Sequence, residues 1–158
     1  MSTLAFQDYY PDELSHCYGC GKNNPQGHQL KSYWADDGEE SIAHYIPEPF
    51  HTAIPGYVYG GLIASLVDCH GTGTASAAAY RAAGREPGSL PPLRFVTGSL
   101  QVSYLAPTPL GVTLELRGVP VEVKEKKVVV DITVSANGRV TAKGQVIAVR
   151  MPDSMTPK

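Results

Sequence analysis

A single carboxylate, Asp68, stands in a stretch that otherwise carries almost no chemistry: Gly60-Gly61-Leu62-Ile63-Ala64-Ser65-Leu66-Val67-Asp68. Wound at about 3.6 residues per turn, this segment puts Leu62, Ile63, Leu66, Val67 and Cys69 on one side. Gly61, Ala64, Ser65, Asp68, Gly71, Thr72 and Ala75 fall on the other. A carboxylate over a floor of small residues leaves a groove in which a thin molecule could lie along the helix. Gly60 and Gly61 would open the helix, where backbone N–H groups lack intrahelical acceptors and the dipole is positive. An oxygen developing negative charge is stabilised there.

A helix aspartate is ordinarily one charge on a solvated face, but such faces are decorated with Lys, Glu and Gln. Here the only other group between Gly56 and Tyr80 that titrates near neutrality is His70. His70 falls on the Leu62, Ile63 and Leu66 side, roughly opposite Asp68, which predicts a hydrogen-bonded core histidine rather than a catalytic partner. Cys17 and Cys20 form a Cys-x-x-Cys that resembles half of a zinc site. Neither His16 nor His28 completes it at a usual spacing, so no metal is expected. The strand–helix context of a redox motif is also missing.

The elements that must hold these residues are legible along the chain. Residues 1–27 are rich in Pro, Gly and Asn and read as a lead-in draped over the body. Strands are predicted at residues 29–35 and 40–46 around an Asp36-Asp37-Gly38 turn, and a helix over residues 60–83. Four more strands follow, near residues 93–106, 111–123, 128–136 and 139–150, with a solvated tip at Lys124-Glu125-Lys126-Lys127 and a type I′ turn at Asn137-Gly138. Residues 28–150 are taken as one domain and residues 151–158 as a disordered tail. One long helix beside antiparallel strands is an α+β arrangement that buries the helix by wrapping a curved sheet around it. The exposed sheet edge and the small-residue helix face then call for a second copy, so a homodimer or a dimer of dimers is expected.

The 158 residues, 42% apolar and 18% charged, fit one globular domain with a core, and a net charge of -2 without a basic stripe argues against a nucleic-acid partner. No apolar run approaches the roughly 20 residues that span a bilayer, and the first residues carry no leader pattern. With three cysteines, too few and too odd for a disulfide framework, this predicts a cytoplasmic protein with no membrane partner.

The chain resembles the PaaI-like hot-dog thioesterases of the 4-hydroxybenzoyl-CoA thioesterase superfamily over about residues 16–150. Three features carry the resemblance. They are Cys17-x-x-Cys20-Gly21 with Asn24-Pro25-x-Gly27; Pro55-Gly56-x-x-Tyr59-Gly60-Gly61 with Asp68 beyond; and Thr97-Gly98-Ser99-Leu100-Gln101-Val102-Ser103-Tyr104. The resemblance implies a hot-dog fold and hydrolysis of an acyl- or aryl-acyl-CoA without any cofactor beyond the substrate's coenzyme A. It also implies Asp68 as catalytic carboxylate, the N–H of Gly60 or Gly61 as carbonyl polariser, and Thr97 as a helper hydroxyl from the neighbouring subunit. Tyr59 stands where the family carries histidine. A plain strand threonine is an equal reading of Thr97. Tyr59, His51, Ser65, Thr72, Arg81 and Arg94 complete the candidate substrate-binding set, the two arginines, with Arg85, as a seat for phosphates. Two other functions stay open: an acyl or aromatic ligand binder without turnover, and an enoyl-CoA hydratase or dehydratase pairing His51 with Asp68.

Overall fold

The computed structural model describes residues 4–157. A hairpin of β1 (Ser32–Trp34) and β2 (Ser41–Tyr45) precedes the helix α1 (Gly60–Ala82). Four long strands follow: β3 (Phe95–Tyr104), β4 (Leu114–Val123), β5 (Lys127–Ala136) and β6 (Arg139–Arg150). All six strands form one antiparallel sheet in the order β1-β2-β4-β5-β6-β3. The sheet wraps α1, which packs against β3, β4, β5 and β6.

Strand alternation supplies the inner face of the sheet. Leu114 and Leu116 of β4, Val128, Val130, Ile132 and Val134 of β5, and Val146 and Ala148 of β6 are buried against Leu62, Ile63, Leu66 and Val67 of α1. Each such side chain contributes about 1.5–3 kcal/mol relative to exposure. The turn after β5 has left-handed backbone at both Asn137 (φ 53) and Gly138 (φ 78), the type I′ geometry that the dipeptide favours.

The glycines of α1 are packing glycines. A Cβ at Gly71 would lie 2.4 Å from a Val146 methyl, so the helix meets β6 at van der Waals distance there. This corrects the helical-wheel reading: Gly71 and Ala75 belong to the core, and the open groove ends at Asp68. A Cβ at Gly73 would strike the Gln7 amide nitrogen at 2.6 Å, so this glycine admits the lead-in. Gln7 then accepts from Ser32 N (2.8 Å) and donates to Ser32 Oγ (3.1 Å) in the interior.

His70 is the core histidine that its position on the wheel implied. It is fully buried, with Nδ1 2.9 Å from Ser32 Oγ and Nε2 2.9 Å from Ser41 Oγ, and Ser41 Oγ lies 2.7 Å from Thr74 Oγ1. Burial pushes its pKa down to about 4, so the ring is neutral at physiological pH. The lead-in folds into two 3-10 turns, Phe6–Tyr9 and Asp12–Leu14, and buries Ala5, Phe6 and Tyr10. Where the sequence predicts a structureless tail, a single 3-10 turn forms at Asp153–Met155, with the Met155 amide donating to Pro152 O at 2.9 Å.

Candidate active site

α1 opens at Tyr59, an N-cap without a side-chain hydrogen bond, so neither side chain nor i−4 carbonyl claims the first-turn N–H groups of Gly60 and Gly61. Two tyrosines frame this end. Tyr104, at the far end of β3, donates its hydroxyl to Gly60 O at 2.6 Å. The Tyr59 ring folds back over Gly61, where a Cβ would sit 2.4 Å from the ring, so a side chain there would have to displace it. Tyr59 itself is 58% exposed and is free to swing away.

Two turns further along α1, Asp68 is half-buried, and the Thr97 hydroxyl donates a short hydrogen bond to its Oδ1. The sheet accounts for that contact. β3 runs antiparallel to α1, with Tyr104 against Gly60 and Thr97 against Asp68, and a bulge at Gly98 breaks the β3–β6 register between Thr97 and Ser99. Thr97 thus reaches the carboxylate of its own chain. Burial raises the Asp68 pKa above the ordinary carboxylate value, the Thr97 hydrogen bond opposes this, Cys17 adds to it, and Arg94 offsets it. A carboxylate pushed upward toward neutrality, with one oxygen held by a donor, is a competent general base.

The remaining candidates separate. Ser65, half-buried one turn before Asp68, donates its hydroxyl to Leu62 O at 2.7 Å and lines the groove floor. Thr72 does not reach it: it is 5% exposed, and its hydroxyl is spent on Asp68 O and Cys69 O at 3.3 Å each. Thr72 therefore does not open onto the groove beside Asp68. His51 accepts from Glu48 N at 2.9 Å through Nδ1, and its ring stacks edge-on with Phe50 and His28 at 4.6 and 5.2 Å. It braces the loop before the helix.

Arg81, Arg85 and Arg94 do converge, on a cavity of about 420 Å³ between the lead-in, the β1–β2 hairpin and the second half of α1. All three guanidiniums are tied down, Arg85 by donating to Ser89 Oγ, Ser89 O and Pro91 O. Arg81 stacks 3.8 Å from the Trp34 ring centroid and donates to Gly38 O, and Arg94 stacks 4.3 Å from that of Tyr10 and donates to Phe95 O. Of the two, Arg94 acts on Asp68 through its charge.

Two features were not legible in the sequence. Tyr104 reads as one apolar member of an alternating strand; only the antiparallel packing of β3 on α1 brings it to Gly60. Cys69 reads as a core residue, yet its sulfur lies 3.8 Å from that of Cys17, and the sulfurs of Cys17, Cys20 and Cys69 all lie within 4.8 Å of one another. Cys17 is pulled well below the usual thiol range by the hydrogen bonds that Cys20 and Cys69 donate, and Cys69 is pushed up in return.

A family model of the thioesterase superfamily matches residues 55–143, the span that holds the helix, its glycine start and strands β3 to β5. The chain belongs to the thioesterase superfamily. A thioesterase superfamily protein from Shewanella loihica is 52% identical, with 90% of this chain and 100% of that one covered and a TM-score of 0.68. The PaaI protein of the Escherichia coli phenylacetic acid degradation operon shares the hot-dog fold at 15% identity, with 72% and 74% covered and a TM-score of 0.59. A Streptococcus mutans protein solved with acetyl-CoA does so at 22% identity, with 72% and 82% covered and a TM-score of 0.58. A search of curated proteins found no match. This member of the thioesterase superfamily has the hot-dog fold, and no helix among its described residues is long and apolar enough to cross a membrane.

Proposed function

We propose that this protein hydrolyses an acyl- or aryl-acyl-CoA to the free acid and coenzyme A, with Asp68 as general base. The observation that supports this reading most is the Thr97 hydroxyl donated to the half-buried Asp68 carboxylate, beside the open groove of Gly61, Ala64 and Ser65. Asp68 takes a proton from water while the resulting hydroxide attacks the thioester carbonyl carbon. The carbonyl oxygen, now negative, accepts from the N–H of Gly60 or Gly61, a contribution of a few kcal/mol for a well-placed backbone donor. Collapse of the adduct breaks the carbon–sulfur bond, and the departing thiolate receives the proton held by Asp68. No cofactor is required. Coenzyme A as the carrier is supported by the acetyl-CoA found on the Streptococcus mutans neighbour and by a hexameric acyl-CoA thioesterase of the same fold.

The site is proposed to work in a homodimer, or a dimer of dimers. β3 is an edge strand of ten residues, and it leaves Leu100 38% and Tyr104 53% exposed although its sequence alternates as a buried strand does. Pairing of two copies along this edge would cover both residues and place a second subunit over the Asp68 groove.

The deciding experiment incubates purified protein with short-chain, long-chain and aromatic acyl-CoAs and follows loss of thioester absorbance. Turnover of at least one class, abolished by Asp68→Asn, is the expected result. Tight binding across the panel with no turnover would leave a ligand-binding protein, and hydration of an enoyl-CoA would move the assignment to the hydratases.

A further inference from the structure

The cysteine cluster lies outside the chemistry proposed for Asp68, yet it is the densest group of metal-ligating side chains among the described residues. We propose that Cys17, Cys20 and Cys69 form a three-thiolate site for a zinc-class divalent cation, which fastens the lead-in to helix α1 beside Asp68. The sequence offered only half of a zinc site; the helix supplies a third ligand 52 residues beyond Cys17.

The spacing suits a metal. Four ligands at about 2.3 Å from a tetrahedral zinc place neighbouring sulfurs about 3.8 Å apart. The Cys17–Cys69 separation is 3.8 Å, and the third sulfur lies within 4.8 Å of both. A disulfide would require the two sulfurs to close to about 2.05 Å.

The backbone around the cluster is shaped for close approach. Gly21 N donates to Cys17 O at 2.7 Å, closing a tight turn that turns both lead-in sulfurs toward α1. A Cβ at Gly19 would stand 2.3 Å from Cys69 Sγ, so a side chain there would force the lead-in off the helix, and one at Gly21 would stand 2.5 Å from Cys17 N, so a side chain there would open the turn that carries Cys17 and Cys20. The backbone N–H groups of Gly19 and Cys20 favour the thiolate form of Cys17, the form a metal takes as ligand.

Charge also balances. Three thiolates around a dication leave one net negative charge, and the Arg94 guanidinium is within electrostatic reach of all three sulfurs. No His, Asp or Glu joins the cluster among the described residues, so the fourth corner falls to water. Tyr10 offers a donor nearby: its buried hydroxyl has no hydrogen-bond partner among the described residues, and it too is within reach of the three sulfurs.

The test uses tag-free, full-length protein, stripped with chelator under reductant and titrated anaerobically with Co²⁺ and then Zn²⁺. One equivalent of Co²⁺ should bind with thiolate-to-cobalt charge-transfer absorption and the visible bands of a tetrahedral ion, and Zn²⁺ should displace it and raise the thermal midpoint. Cys69→Ser and Cys17→Ser should each weaken binding at least about 100-fold. Cys17 is only half-buried, so its serine variant keeps the fold, which circular dichroism checks. Absence of both the cobalt spectrum and a zinc-dependent thermal shift in folded, fully reduced protein overturns the proposal. Undiminished binding by the Cys17→Ser variant overturns it equally. None of these readouts depends on thioester hydrolysis, so the site and the proposed activity stand or fall separately.

Discussion

Replacing Asp68 by asparagine isolates one property of the site. The amide keeps an oxygen where Oδ1 accepts from the Thr97 hydroxyl, so the hydrogen bond and the side-chain position survive while the basicity is gone. A positioned general base contributes about 10²–10⁴-fold, or about 2.7–5.4 kcal/mol at roughly 1.36 kcal/mol per decade. The Asn variant should therefore lose at least about 100-fold in kcat, with KM changed by less than about 3-fold, because the groove walls stay in place. Stability should move the other way. Burial is the first cause of the raised Asp68 pKa, so the ionised carboxylate costs folding energy at neutral pH, and a neutral amide removes that cost. The thermal midpoint of the Asn variant should equal or exceed that of the parent. Kinetics on the acyl-CoA turned over best, with a melting curve on the same samples, provide both readouts. A variant with near-parental kcat would refute the role of Asp68, and one that melts well below the parent would show that the carboxylate is structural.

Activity should fall with decreasing pH along a limb above the ordinary carboxylate range, since Asp68 must be ionised and burial raises its pKa; Thr97→Val, which removes the opposing donor, should move that limb to higher pH while Thr97→Ser leaves it in place. Coincident pH profiles for the Val and Ser variants would reduce Thr97 to a strand residue. His70 has a folded-state pKa of about 4 against about 6.5 unfolded, so the unfolded chain binds the extra proton between these values and stability falls as pH drops through that window, by up to about 3 kcal/mol. Denaturant unfolding at pH 7 and pH 4.5 measures the loss, which the rise of the Asp68 pKa blunts; no loss would mean that the His70 ring is charged or exposed. Gly61→Ala should displace the Tyr59 ring, which occupies the space a Cβ needs, and lower kcat/KM severalfold with little change in melting temperature; an unchanged kcat/KM would separate this end of the helix from the site. Light scattering should give a dimer or tetramer, and a fully active monomer would remove the second subunit from the site.

Much of the architecture is local in origin and could be read from the chain. The run from Gly60 to Ala82 has helical periodicity and a glycine start, Asn137-Gly138 admits little but a tight hairpin, and the alternation in β5 assigns Val128, Val130, Ile132 and Val134 to one face. Asp68 stood out by composition alone, as a carboxylate among Gly, Ala and Ser. Local patterns do not encode which distant segments share a point in space. The pairing of β3 beside β6, with its bulge at Gly98, decides that Thr97 meets Asp68 in the same chain and that Tyr104 meets Gly60. The same closure turns Thr72 and Gly71 into the interior, although the helical wheel puts them beside Asp68, because β6 meets the helix at Gly71 and the lead-in meets it at Gly73. It also brings Cys69 to Cys17 and Cys20. A one-dimensional pattern can mark a residue as able to do chemistry, but chain closure over tens of residues selects its partners, because packing rather than periodicity determines which groups lie within hydrogen-bonding distance.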